Sequence, residues 1–148
     1  MTSPILLCTD GSDQASGALS AGLELLGRDH QLVLVTVMDT PDEGAMAGSG
    51  HAGADMSLEE YEAQVSQASK SADTLMAEAQ RQFDLGSAEV RILQGDPGPA
   101  ICRLATELTA QAIVVGSRGR GIVKRALLGS VSDHIVRNAP CSVIVTRS

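Results

Sequence analysis

Three glycines and a serine near the end of the chain have the types and spacing of a phosphate-binding loop. Gly116, Gly119, Gly129 and Ser130 form the pattern G-x2-G-x9-G-S. Glycines let a backbone approach a phosphate closely and adopt positive φ, and N–H groups at a helix start, here near Ser130 and Val131, point at anions. The pattern therefore predicts a site for a phosphate-bearing ligand. A tight turn at the glycines and a helix N-cap at Ser130 are the structural alternatives.

Basic side chains are concentrated around this pattern in a chain that is otherwise acidic. The formal net charge is -7, yet four of the eleven Lys and Arg residues lie between Arg118 and Arg125. Charge from Arg118 or Arg120 would favour a small anion; simple solvation of these arginines is the alternative. An acidic chain repels nucleic-acid backbones, and the two aromatic residues cannot form a base-stacking platform. We therefore expect a small anionic ligand and no nucleic-acid partner.

No other motif of nucleophiles, acids or metal ligands stands out in the sequence. The chain has no Walker A lysine motif and no G-x-G-x-x-G after its first apolar run. His30, His51 and His134 share no spacing with each other or with acidic residues that suggests a metal site or a catalytic triad. We interpret the histidines as surface or helix residues, and we expect no metal site built from side chains.

Cysteine usage and hydropathy indicate a cytoplasmic protein. Cys8, Cys102 and Cys141 form no C-x-x-C pair and have apolar neighbours, which is typical of reduced, buried thiols. The first residues run into an apolar stretch too short for a signal peptide, and no apolar run approaches the length of a membrane span. We therefore expect a cytoplasmic chain without membrane insertion, in which Cys8 is the one candidate for redox sensitivity.

Five continuous apolar runs predict the strands that position these residues. The predicted strands are Ile5–Thr9, Leu32–Met38, Ala88–Leu93, Ala112–Gly116 and Ser142–Thr146. Continuous rather than alternating apolar runs are typical of parallel strands that are covered on both faces. With helices between the strands, the sequence predicts one doubly wound α/β domain over residues 1–148.

Helical periodicity fills the spaces between these strands. The predicted helices are Asp13–Leu26, Leu58–Phe83, a segment beginning at Asp96-Pro97, and Ser130–Asn138, which Pro140 stops. Ser57 and Glu60 form a capping box at the start of the long helix. Its apolar stripe favours a crossover helix on a sheet over a coiled coil; the stripe consists of Leu58, Tyr61, Val65, Ala68, Ala72, Leu75 and Ala79. Asp39 to Met56 is glycine-rich and is expected to be a mobile loop.

The ends of the predicted strands carry the remaining candidate residues. In open α/β sheets, ligands bind beyond the C-terminal ends of the strands, where the strand order reverses. The first strand ends in Thr9-Asp10-Gly11-Ser12, the second in Val37-Met38-Asp39, and the fourth runs into the glycine pattern. We expect Asp10 to contact the ligand; capping of the first helix is the alternative.

In these segments the chain resembles the universal stress protein family. The segments Val114–Gly121, Leu127–Ser132 and Ala139–Val145 are similar to that family's C-terminal signature, and Ile5–Ser12 resembles its first strand and aspartate. The resemblance spans nearly the whole chain and implies a five-stranded parallel sheet of order 3-2-1-4-5 with helices on both faces. Pyrophosphatase-type relatives have a Ser-Gly-Gly-x-Asp loop where this chain has Thr9–Asp13, and nucleotidyl transferases have a His-x-Gly-His segment that is absent here.

The resemblance also implies a set of ligand-contacting residues. In ATP-binding members the positions of Thr9 and Asp10 lie against adenosine, Val37 lines adenine, and the glycines surround ribose and phosphates. Cys8 is a departure, since proline or another small residue is common there, and it bears on the fit around adenine. The candidate nucleotide-binding residues are Cys8, Thr9, Asp10, Val37, Val115, Gly116, Arg118, Gly119, Gly129, Ser130, Val131 and Ser132.

The functional hypothesis is a dimeric, ATP-binding regulator of the stress response with an unknown protein partner. ATP would be the cofactor, with any Mg²⁺ held mainly by its phosphates. The last strand, Ser142–Thr146, is an apolar edge strand that would pair with its copy around a two-fold axis. Two alternatives stay open: slow ATPase or autokinase activity, for which the glycine loop lacks a positioned general base, and a ligand-free interaction module.

Overall fold

Five parallel strands form the centre of the computed structural model, which describes residues 2–38, 56–118 and 128–147. The strands are β1 (Ile5–Cys8), β2 (Leu32–Val37), β3 (Glu89–Leu93), β4 (Ala112–Gly116) and β5 (Ser142–Thr146). They lie in the order β3-β2-β1-β4-β5, and every neighbouring pair is parallel. The predicted fold class and strand order are confirmed.

In the described part of the chain, four helices alternate with these strands. They are α1 (Asp13–Leu26), α2 (Leu58–Gln82), α3 (Pro97–Glu107) and α4 (Ser130–Asn138). Local signals in the sequence set their starts: Ser12 caps α1 by accepting from the N–H of Ala15 at 3.1 Å, and Asp96 precedes the proline that opens α3. The capping box of Ser57 and Glu60 is present in both directions at the start of α2.

The core has two apolar layers, one on each face of the sheet. Because successive side chains of a strand point to opposite faces, Leu7 and Leu34 pack on one face, against α1 and α2. Leu6 and Val33 pack on the other face, against α3 and α4. Each layer excludes water from one side of the strands, so the continuous apolar runs are explained by burial on both faces.

The apolar stripe predicted for α2 is buried only in its C-terminal half. Ala72 and Ala79 are buried together with Met76, which the prediction left out, whereas Leu58 is 59% exposed. A helix of 25 residues extends about 38 Å, whereas a six-residue strand extends only about 20 Å. The first turns of α2, which include Leu58, therefore extend beyond the strands against which the C-terminal half of the helix packs.

Element boundaries differ from the predicted ones by about one residue. Thr9, Met38 and Ala88 lie just outside their strands, and Phe83 follows α2 as its C-cap. The ladder nevertheless continues by one backbone bond at two of these positions, since Thr9 donates to the carbonyl of Val35 and Met38 to that of Leu93. Residues 39–55 of the predicted mobile loop lie outside the described residues.

Candidate functional site at the carboxyl edge of the sheet

The strand order reverses between β1 and β4, whose C-terminal ends lie side by side. Leu6 pairs with Ile113 and Leu7 with Val114, so the residues that follow both strands emerge at one edge of the sheet. This is the switch point at which open α/β sheets bind ligands. The fold brings every described candidate to this edge or to the helix that faces it; Gly119 and Arg120 lie outside the described residues.

The loop after β1 is held by its own short side chains. The hydroxyl of Thr9 accepts from the N–H of Gly11 at 3.2 Å, and a carboxylate oxygen of Asp10 accepts from the N–H of Ser12 at 2.9 Å. Gly11 has φ of 80°, a left-handed conformation that favours glycine. Ser12 caps α1, so Asp10 is not the helix cap and instead stabilises the turn that leads to the cap.

The start of α4 is tied directly to the end of β4. The N–H of Gly129 donates to the carbonyl of Ser117 at 2.7 Å, and Asp133 makes the first helical bond, to the carbonyl of Gly129 at 2.9 Å. Gly129 is thus the N-cap, so the alternative in which Ser130 caps α4 is wrong. Ser130, Val131 and Ser132 form the first turn, whose N–H groups have no acceptor within the helix and create a favourable electrostatic environment for an anion.

Four apolar candidates share one layer beneath this edge. Cys8 and Val115 are buried in the layer between the sheet and α3–α4, and Val37 and Val131 pack against it. They come from β1, β4, β2 and α4, so only the tertiary structure brings them together. An apolar surface beside helix N–H groups is suited to a ligand that has a flat apolar part and an anionic part.

The environment of Cys8 argues against a redox role. Burial, with a smaller contribution from the nearby Cys102, raises the pKa of the Cys8 thiol to about 12. Burial also raises the pKa of Cys102 and of Cys141, and Cys102 contributes to the shift at Cys141. The thiolate is the reactive form, so we expect the buried Cys8 to react more slowly than the half-buried Cys102 and Cys141.

Alkylation should reveal this order. At pH 8, iodoacetamide should modify Cys102 and Cys141 before Cys8. We expect Cys8 to react at least about a hundredfold more slowly than in the urea-unfolded chain, because a thiol whose pKa is raised to about 12 carries almost no thiolate at pH 8. Mass spectrometry of the tryptic peptides measures each rate. Fast native-state labelling of Cys8 would contradict the assigned burial.

Gly116 and Gly98 allow helices to pack closely. A Cβ added at Gly116 would lie 3.0 Å from the Cβ of Ala18 on α1. A Cβ added at Gly98 would lie 2.7 Å from the ring of His134, which is therefore a half-buried packing residue of α4. Both glycines hold helices against their neighbours, and Gly116 has this role in addition to any contact with a ligand.

Sequence reasoning left out two residues that organise the site. Ser117 is buried and donates its N–H to the carbonyl of Thr146 on β5 at 2.8 Å. Thr146 is buried too, and its hydroxyl donates to the carbonyl of Ala18 at 2.7 Å. A small polar residue between two motif glycines was the only signal for Ser117; nothing in the sequence pointed to Thr146.

Charge and metal ligands are sparse in the described part of the site. Arg118 is exposed just beyond β4, where a guanidinium can reach an anion at the edge. Within residues 2–38, 56–118 and 128–147, no group of three His, Cys, Asp or Glu side chains could hold a metal ion. Over the same ranges, no helix combines the length and apolarity needed to cross a membrane.

Comparison with known proteins identifies relatives along the full length of the chain. The family model described as "Universal stress protein family" matches residues 1–147. A universal stress protein of Staphylococcus saprophyticus is 33% identical over 150 aligned positions, which cover 97% of this chain and 83% of the relative.

Two solved structures have the same fold at similar levels of identity. Universal stress protein UspA from Lactobacillus plantarum is 26% identical with a TM-score of 0.69, covering 98% of this chain and 97% of its own. A universal stress protein solved in complex with cAMP is also 26% identical, with a TM-score of 0.64 and coverage of 97% and 95%.

Proposed function

Because the chain belongs to the universal stress protein family, we propose that it binds an adenine nucleotide, specifically ATP, at the carboxyl edge of β1 and β4. The observation that carries the proposal is the position of the first turn of α4. Its N–H groups are held beside the end of β4 by the 2.7 Å bond from Gly129 to Ser117, next to the apolar layer that contains Cys8 and Val115. The relative in complex with cAMP supports the same ligand class.

The site divides between the two parts of such a ligand. The apolar layer at Cys8, Val37 and Val115 suits the adenine ring, which gains by leaving water. Thr9 and Asp10 lie at the end of β1, where they suit the ribose. The amides of the first turn of α4 suit the phosphates, with charge from Arg118. In this assignment Mg²⁺ is held mainly by the phosphates, and the protein acts by binding rather than by turnover.

The proposal includes pairing of two chains through β5. This strand lies at the edge of the described sheet beyond β4, and Val143, Ile144 and Val145 are only half-buried there. An apolar edge strand presents unpaired backbone groups that invite a further strand. Two copies related by a two-fold axis would satisfy both edges at once. In this form the chain would work as a cytoplasmic dimer whose contacts with a regulatory partner depend on nucleotide.

One preparation tests both parts of the proposal. The purified protein is denatured, and the supernatant is analysed by anion-exchange chromatography for released nucleotide; the native sample is analysed by sedimentation velocity. We expect an ATP or ADP peak near one equivalent per chain and a particle of twice the chain mass. If no nucleotide is released, the stripped protein is titrated with ATP, and a flat titration refutes nucleotide binding. A particle of single-chain mass at micromolar concentration refutes the dimer.

A further inference from the structure

The hydroxyl of Ser132 is already engaged within the protein. It lies 3.2 Å from the carbonyl oxygen of Ser117 and 3.1 Å from that of Gly129. A serine hydroxyl has one proton to donate, and both neighbours are acceptors. Phosphate oxygens at neutral pH are acceptors as well, so a phosphate could bind this hydroxyl only by taking its proton from the two carbonyls. The residue is also 2% exposed, which places it behind the surface of the site.

The carbonyl of Ser117 is the point at which these bonds converge. It accepts from the N–H of Gly129 at 2.7 Å as well as from the hydroxyl of Ser132. The N–H of Ser117 is fixed in turn by the carbonyl of Thr146 on β5. The first turn of α4 is therefore bonded to β4 and, through Ser117, to β5. A geometry fixed before the ligand arrives lowers the cost of ordering on binding.

We propose that Ser132 is a positioning residue of the nucleotide site: its hydroxyl joins Ser117 at the end of β4 to Gly129 at the start of α4, and so aims the first-turn N–H groups at the phosphates. This inference rests on the proposed function, and it changes the role of Ser132 from a ligand-contacting residue to one that acts through the amides of Ser130 and Val131.

The test compares Ser132→Ala with Ser130→Ala, which removes an exposed hydroxyl from the same turn. Amide hydrogen exchange of Gly129 is measured in the nucleotide-free protein, and the affinities for ATP and adenosine are measured by calorimetry. For Ser132→Ala we expect exchange at Gly129 to rise about tenfold, and ATP to bind about tenfold more weakly while adenosine binds unchanged. Ser130→Ala should leave the exchange at Gly129 as in the wild type.

Each contrary outcome has a distinct meaning. Weaker ATP binding with unchanged exchange at Gly129 would make Ser132 a direct phosphate ligand and overturn the inference. Faster exchange with unchanged ATP affinity would overturn it as well, because the bond would then hold the fold without positioning the site. Failure of the wild type to bind ATP would refute the proposed function, and the inference with it, and is recognised without any variant.

Discussion

Replacing Gly129 with aspartate should weaken ATP binding about a hundredfold or more. Gly129 is the N-cap of α4, with φ of -71° and ψ of 169°, a conformation that any residue adopts. Aspartate is also a favoured N-cap residue, so the helix should form. Its carboxylate would bring a negative charge to the turn proposed to hold the phosphates. Two unit charges about 4 Å apart repel by about 4 kcal/mol at an effective dielectric constant near 20.

Gly129→Asn is the matched control, because it has nearly the same shape and capping ability without the charge. An added Cβ at this position would lie 3.4 Å from the carbonyl oxygen of Ser117, so both variants introduce the same mild crowding. We expect the asparagine variant to lose far less affinity in the same calorimetric titration. The loss in the aspartate variant should also shrink at high salt, because salt screens exposed charges. If the Gly129→Asp variant binds ATP with wild-type affinity, the phosphates do not bind at this turn.

Replacing Gly22 with valine should lower the free energy of unfolding by about 3 kcal/mol. Gly22 is buried on the face of α1 that packs on β4. A Cβ there would lie only 2.7 Å from Cγ1 of Val114 and 3.8 Å from Cγ2 of Thr146. Val114 is almost fully buried and cannot swing away, so α1 would have to move off the sheet. Urea unfolding followed by circular dichroism measures the change.

A double-mutant cycle tests whether this loss of stability comes from the contact between positions 22 and 114. Gly22→Val combined with Val114→Ala should be more stable than the sum of the two single variants by about 1 kcal/mol, because the second change removes the clashing methyl. Gly86→Ala is the control, since an added Cβ there has nothing within 4 Å, and its stability should change by less than about 0.5 kcal/mol. Additive losses in the cycle would show that the two positions do not clash.

The local signals in the sequence predicted the elements because their causes are local. A capping box needs only Ser57 and Glu60, three residues apart on one turn. A buried parallel strand needs apolar residues on both faces, and the run at Leu32–Val37 supplies them in consecutive positions. The sequence could also predict that the candidate residues lie together, since the C-terminal ends of parallel strands share one edge. The prediction of an apolar stripe on α2 was wrong at Leu58, because the burial of this residue depends on the length of the neighbouring strands.

The sequence by itself determined the elements, their order in the chain and the glycine pattern beside a helix start. Only the tertiary structure decided what each small residue does. Gly22 faces Val114, and Gly116 faces Ala18, so two glycines serve helix packing that no spacing rule reveals. Ser132 bonds to Ser117, fifteen positions away, and Thr146 bonds to Ala18, which lies 128 positions away. The periodicity of apolar residues indicates which face of a helix or strand is buried. A contact between residues far apart in the sequence exists only after packing has brought those faces together.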